Sequence, residues 1–220
     1  MRRSISNRSP LTLQSRGEEI ANTLSHAVGL VAALVAGPFL VMKVWSRGDA
    51  TDLIAAIVYA ATVIALYLGS TLYHAWPQTP LKFVFRVIDH SAIFLLIAGT
   101  YTPLTLGPLR GPWGWSIFSL VWSLALFGIA MKIRGWVDRS KLSLALYLGM
   151  GWLILVAMRP LAHAVPVQTL VWLLAGGAAY TTGVIFFRRS SLRPYHHFIW
   201  HLFVLAGTGC HFCAVYTSAG

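Results

Sequence analysis

The chain has 220 residues, of which 57% are hydrophobic and 10% charged, and its formal net charge is +11 at pH 7. Soluble domains carry about 25% charged residues, so this composition excludes an ordinary soluble protein and predicts an integral membrane protein. The apolar stretches are long enough to cross a bilayer as helices, and no alternating strand pattern is present, so we predict an all-α membrane bundle.

Seven apolar stretches follow one another along the chain. Short polar segments separate them, and each contains Lys or Arg or a proline that discourages continuation of a helix. The predicted spans cover residues 24–44, 53–74, 86–107, 113–131, 142–159, 168–187 and 197–217. Residues 1–23 are predicted to form a polar cytoplasmic segment, and residues 24–220 a single seven-helix transmembrane domain.

The distribution of basic residues predicts the orientation. When the segments between spans are assigned alternately to the two sides, only four of the 17 Lys and Arg residues fall opposite the N-terminus: Lys43, Arg47, Arg110 and Arg159. Cytoplasmic loops are enriched in Lys and Arg, so we expect the N-terminus in the cytoplasm and the C-terminus outside the inner (plasma) membrane. We expect the cytoplasmic charges to contact anionic lipid headgroups; they are too dispersed to indicate a nucleic-acid interface.

Polar residues of the predicted spans gather at their cytoplasmic ends. The set comprises Glu19, Asn22 and His26 at the first span, Ser70 and His74 at the second, Asp89 at the third, and His197 and His201 at the seventh. Such residues are costly to place in a membrane, so a layer of them indicates a functional site.

The histidines of this layer predict a metal site. Side chains at positions i and i+4 share one helix face, so His197 and His201 can present two imidazoles to one ion, with His74 as the third ligand. Three protein ligands and a water are typical of catalytic Zn²⁺, whose bound water has a pKa near 7. Asp89 is then placed to hold or deprotonate that water, and Ser70 to hydrogen-bond Asp89, the water or a substrate carbonyl.

Other interpretations of these residues stay open at this stage. A single pair of histidines four apart at a membrane interface is often only interfacial polarity. Haem is a rival cofactor, although a neighbouring pair with a carboxylate suits zinc better. Asp89 has Arg86 or His90 as alternative partners in a structural ion pair. Glu19, Asn22 and His26 of the first span either cap and polarise that helix or contact the metal ligands without binding the metal.

Several short motifs carry a resemblance to a known family. They are Glu19-x2-Asn22-x2-Ser25-His26, Ser70-x2-Tyr73-His74, Asp89-His90, the run Ala98-Gly99-Thr100-Tyr101-Thr102-Pro103, and His197-x2-Trp200-His201. With them the chain resembles, nearly end to end, the hemolysin III family. That family is similar to the progestin and adiponectin receptors and, more remotely, to alkaline ceramidases, grouped as seven-helix metal-dependent membrane hydrolases. The resemblance implies that His74, His197 and His201 bind zinc, and that Asp89 and Ser70 contact the zinc-bound water or the ligands themselves.

Several functions follow as expectations. The first is a zinc-dependent hydrolase of a lipid amide or ester, comparable to a ceramidase-like amidase, with Asp89 as general base. The alternatives are a non-catalytic membrane regulator or sensor with a structural zinc, a pore-forming cytolysin, and a proton or ion transporter. Short outer loops leave little surface for a protein hormone. Polar groups gathered at one end, rather than lining a path, argue against a pore.

Overall fold

The computed structural model describes residues 14–135 and 140–219, and within these residues the chain is all-helical. Eight α-helices follow in order: α1 Arg16–Trp45, α2 Ala50–Ala75, α3 Pro80–Leu106, α4 Pro112–Ile133, α5 Ser140–Trp152, α6 Met158–Ala164, α7 Val167–Arg189 and α8 His196–Ser218. Of the predicted polar segment 1–23, residues 1–13 lie outside the described part, and α1 begins at Arg16, ahead of the predicted first span.

Six segments of the described part of the chain are long and apolar enough to cross a membrane: Arg16–Trp45, Ala50–Ala75, Pro112–Ile133, Lys141–Ala164, Val167–Arg189 and His196–Ser218. They confirm a helical, multi-pass membrane protein. Helix α3 holds the predicted third span and is 27 residues long, but it is not among the six. Polar residues such as Asp89 and His90 lower its mean hydropathy.

The helices begin where the sequence provides start signals. Ser15 and Glu18 form a capping box, in which each side chain accepts a hydrogen bond from the other residue's backbone N–H, and α1 starts directly after it. The Asp49 side chain accepts from the backbone of the first turn of α2. Pro80 and Pro112 open α3 and α4, where a missing N–H costs nothing.

Helix α3 lies at the centre of the bundle. It packs against α2, α4, α5 and α8, and more than half of its residues are buried. Gly99 allows the closest approach, because a Cβ there would collide with the Thr62 side chain of α2. By contrast, α1 exposes apolar side chains such as Val28, Val31 and Val35. Apolar residues outside and polar residues inside are what a lipid environment favours.

The membrane-length segment Lys141–Ala164 is interrupted. A 3-10 helix, Leu153–Ala157, separates α5 from α6. The Tyr101 hydroxyl of α3 accepts a hydrogen bond from the Ile154 N–H at 2.8 Å and donates to the Met150 carbonyl at 2.7 Å. One side chain thus satisfies backbone groups that the break would otherwise leave unpaired inside the bundle.

Three basic residues that the orientation argument assigns to the cytoplasmic surface are buried. Lys82, Arg86 and Lys132 are only 7%, 9% and 2% exposed. Contact with anionic headgroups, as predicted for the cytoplasmic charges, is therefore not available to these three. Their burial near the polar layer makes them part of its electrostatics instead.

Candidate metal centre

Three histidines from two helices meet at one end of the bundle. His74 lies in the last turn of α2, and His197 and His201 lie in the first turns of α8. Their ring centroids are 4.7 to 5.2 Å apart. One ring nitrogen from each lies within 4.8 Å of the others. The group is therefore able to hold a single metal ion.

His74 is oriented by a carboxylate from α1. Its Nδ1 lies 2.7 Å from Glu19 Oε2, and since a carboxylate only accepts, Nδ1 carries the proton and donates it. The other oxygen of Glu19 accepts from the Lys82 ammonium at 2.8 Å. Lys82 also donates to the Trp76 carbonyl at 3.1 Å. Glu19 thereby fixes the His74 tautomer, in which the lone pair of Nε2 is free to bind a metal.

His201 is held in the same way by a different part of α1. The Ser25 hydroxyl donates to the Asn22 carbonyl at 2.8 Å, which uses its only proton. His201 Nδ1 lies 3.1 Å from that hydroxyl and 3.3 Å from that carbonyl, so Nδ1 must be the donor. The Asn22 side chain itself is turned away and donates to Gln14 at 2.7 Å. The lone pair of His201 Nε2 is therefore also free to bind a metal.

The start of α8 is fixed by a third contact with α1. Tyr195, the residue before the helix, has a φ of 58°, which a non-glycine residue adopts at a cost of about 1–3 kcal/mol. Its N–H donates to Glu18 Oε1 at 2.9 Å. This bond holds the strained residue and so sets where His197 enters the bundle.

His26 lies directly on the cluster without being one of its three members. Its ring stacks on His201, with centroids 3.6 Å apart and planes 13° apart, and meets the edge of Tyr67. It is 3% exposed, and neither ring nitrogen has a hydrogen-bond partner among the described residues. The sequence places His26 only as a support for the metal ligands, and the structure adds this stacked position.

Asp89 and Ser70 lie beside the histidines on α3 and α2. Both are buried, and the Ser70 hydroxyl is near the Asp89 carboxylate without forming a well-oriented hydrogen bond. Within the described residues Asp89 forms no ion pair with Arg86 or His90, the partners that the sequence left open.

The cluster suits a metal by its donor chemistry. Zinc binds neutral imidazole nitrogens, and metal-binding histidines usually donate the second ring N–H to a carboxylate or carbonyl. His74 and His201 both do so, and among the described residues His74 Nε2 is buried without a partner. An ion would satisfy that atom. The residues present therefore fit a metal ion held by imidazole nitrogens, as the sequence predicts.

A cavity of about 150 Å³ adjoins the cluster. Ser70, Asp89, His197 and His201 line its polar end, and its remaining wall is mostly apolar, formed by residues of α2, α3, α5, α7 and α8. An engineered apolar cavity of similar size holds a benzene molecule, so this one has room for part of a ligand. It gives an apolar group access to the histidines from within the bundle.

Some residues at this centre escape sequence reasoning. In the sequence, Lys82 serves only as one of the basic residues that predict the orientation, and Ser25 only as part of a family motif. In the structure, Ser25 contacts His201 directly, and Lys82 contacts Glu19, which orients His74. The one available signal is the spacing of Glu19, Asn22 and His26 on a single helix face. That spacing predicts a shared direction but not which histidine each residue meets.

Comparison with known proteins identifies relatives along nearly the whole chain. A family model described as haemolysin-III related matches residues 14–212. "Hemolysin-3" of Bacillus cereus is 43% identical over 198 residues, covering 90% of each chain. "Hemolysin-3 homolog" of Bacillus subtilis (strain 168) is 41% identical over 198 residues, covering 90% of this chain and 92% of the relative.

The similarity reaches beyond bacteria. "Monocyte to macrophage differentiation factor" of Homo sapiens is 29% identical over 208 residues, covering 90% of this chain and 83% of the human protein. No solved structure matches the chain.

Proposed function

This chain belongs to the haemolysin-III-related family of membrane proteins, and from that membership and its histidine cluster we propose that it is a zinc-dependent hydrolase of a membrane lipid amide or ester. One observation carries the proposal. Three histidines with converging nitrogens lie beside a buried carboxylate and a buried hydroxyl, at the end of an apolar cavity.

His74, His197 and His201 would hold the ion. Zinc bound there would supply Lewis acidity toward a carbonyl oxygen and toward a water molecule. Asp89 would take the proton from the attacking water, because it is a buried carboxylate that lines the same cavity as His197 and His201. The Ser70 hydroxyl, on the same cavity wall, would donate to the oxygen that gains negative charge.

The cavity supports a lipid as the substrate. Its wall beyond the polar end is formed by side chains such as Leu96, Ile97, Leu148 and Val184. An acyl chain placed along this wall would bring its carbonyl group to the histidines. The same wall would keep bulk water away from the reacting groups, which strengthens their electrostatic interactions.

We also propose the topology in which this chemistry occurs. Helix α3 would also span the membrane and bring the number of spans to seven. Its polar residues would be tolerated because α2, α4, α5 and α8 pack against it. Its 27 residues correspond to about 40 Å, which exceeds the hydrocarbon thickness of about 30 Å. The excess of basic residues favours a cytoplasmic N-terminus, which would put the metal centre near the cytoplasmic side with anionic lipid headgroups beside it.

The test is metal content measured beside turnover in detergent-purified protein. We expect about one zinc per wild-type chain, loss of that zinc in His197→Ala and in His201→Ala, and cleavage of a ceramide or an ester lipid by the loaded wild type. Asp89→Asn should keep its zinc and lose at least a hundredfold in turnover, the scale of general-base catalysis. Wild-type protein that holds zinc but cleaves no lipid amide or ester would instead be a regulator with a structural metal, and the enzyme proposal would be wrong.

A further inference from the structure

Three histidines that line the cavity take no part in the proposed metal site, whose ligands are His74, His197 and His201. They are His26 on α1, His90 on α3 and His211 on α8. His211 Nε2 donates to the Leu173 carbonyl at 3.3 Å, which leaves His26 and His90 to be explained.

Both histidines have buried ring nitrogens without partners in the described part of the chain. His26 has two such atoms, Nδ1 and Nε2, and His90 has one, Nδ1. A buried polar atom left without a hydrogen bond destabilises the folded protein. All three atoms belong to residues that line one cavity, and a ligand that supplies the missing hydrogen bonds explains them most simply.

The stacking geometry places His26 close to the reacting centre but outside it. Its ring lies parallel to His201 at 3.6 Å, so its nitrogens lie beside the His201 ring and not among the converging ligand atoms. A group hydrogen-bonded to His26 would therefore lie next to the His201 ring, beside the residues that would hold the metal.

The chemistry of the lining defines the group. A neutral imidazole offers one donor and one acceptor, so it suits a group that both accepts and donates. The charged residues that line the cavity, Asp89 and Lys132, have opposite signs, so the lining favours neither an anion nor a cation. A hydroxyl-bearing, uncharged head fits these conditions better than a carboxylate does.

We propose that His26 and His90 bind the uncharged, hydroxyl-bearing head of a single-chain lipid, with its acyl or alkyl chain in the apolar part of the cavity. This inference rests on the proposed lipid function and goes beyond it by assigning two residues that select the head group. Both act in binding, and neither coordinates the metal.

The experiment uses 1-O-hexadecylglycerol, whose head has two hydroxyls and whose ether bond the proposed hydrolase cannot cleave. Binding of the radiolabelled ether to zinc-loaded, full-length protein in nanodiscs is measured for the wild type and for His26→Phe and His90→Phe. We expect saturable binding at about one molecule per chain, weakened about tenfold in each variant, since one lost hydrogen bond to a ligand is of that order. Hexadecanoate should bind the wild type more weakly than the ether.

Controls separate a binding role from a structural one. His163→Phe changes an exposed histidine of α6 and should bind the ether like the wild type. Zinc content must be unchanged in the tested variants. If His26→Phe fails to fold, His26→Gln is tested in its place; it keeps a donor and an acceptor and should retain part of the wild-type affinity. Wild-type affinity in both Phe variants, tighter binding of hexadecanoate, or no saturable binding of the ether would overturn the inference. Failure of the hydrolase proposal is distinct, because it appears as absent turnover of a lipid amide or ester, whereas this assay measures binding of an ether that is not cleaved.

Discussion

Replacing Glu19 by Gln tests whether α1 tunes the metal centre. The Glu19 carboxylate accepts from His74 Nδ1 at 2.7 Å and from the Lys82 ammonium at 2.8 Å. Its side chain is 19% exposed and that of His74 is 1% exposed, so solvent screens this contact weakly. The substitution keeps the size of the side chain and a carbonyl acceptor but removes the negative charge.

The expected magnitude follows from the type of hydrogen bond lost. Bonds to a charged partner contribute about 1.5–3 kcal/mol and neutral ones about 0.5–1.5 kcal/mol, so Glu19→Gln should cost about 1.4 kcal/mol, or tenfold in zinc affinity. That lies at the lower end of the 10- to 100-fold range typical for residues that orient metal-binding histidines. The Lys82 ammonium also loses its charged partner, so thermal stability should fall as well.

The assay is competition for zinc with a chromophoric chelator in detergent-purified protein. The control is Asp52→Asn, which removes a charge from a residue that pairs with Arg110 and contacts no histidine of the cluster. The double variant Glu19→Gln/Lys82→Met should regain stability without regaining affinity. Zinc affinity within twofold of the wild type for Glu19→Gln, or an equal loss for Asp52→Asn, would refute the reasoning.

Two further predictions concern the scaffold. Tyr101→Phe leaves the Ile154 N–H unpaired at the helix break and should lower the free energy of unfolding by about 1–3 kcal/mol. The measurement is thermal denaturation, with Tyr216→Phe as the control at an exposed tyrosine, and an equal effect of both substitutions would contradict the role of the Tyr101 hydroxyl. The Arg110 guanidinium holds the pKa of Asp49 below its usual range, so this pair stabilises the fold above about pH 4 and the contribution is lost as the pH falls. The melting temperature of Arg110→Gln should therefore fall less than that of the wild type between pH 5 and pH 3, and parallel curves would count against it.

The sequence predicts the architecture because lipid imposes a simple rule on it. A helix that faces hydrocarbon must be apolar over about 20 residues, and the outer helices obey this closely. Helix α3 departs from it because neighbouring helices, not lipid, surround it, and burial by protein tolerates Asp89 and several threonines. The break after Trp152 was not predicted, since it depends on Tyr101 from a helix distant in sequence.

The candidate site is predictable only in part, for a related reason. The spacing of His197 and His201 on one helix face is local and can be derived from the sequence. The partner of each ring nitrogen is not local: Glu19 meets His74 across 55 positions, and Ser25 meets His201 across 176. No periodicity in the chain encodes such pairings, so Ser25 and Lys82 were missed.

Through these long-range hydrogen bonds, α1 positions the proposed metal ligands. The proposed ligands come from α2 and α8, which make few direct contacts in the described part of the chain, whereas α1 packs closely against both. Contacts along one side of α1 reach each of the two helices: Glu19 binds His74, Glu18 binds the residue before α8, and Ser25 binds His201. The separation between His74 and the α8 histidines is therefore set by the position of α1. Because a metal site tolerates only small errors in ligand distance, the first three turns of α1 belong to the metal centre as much as the histidines do.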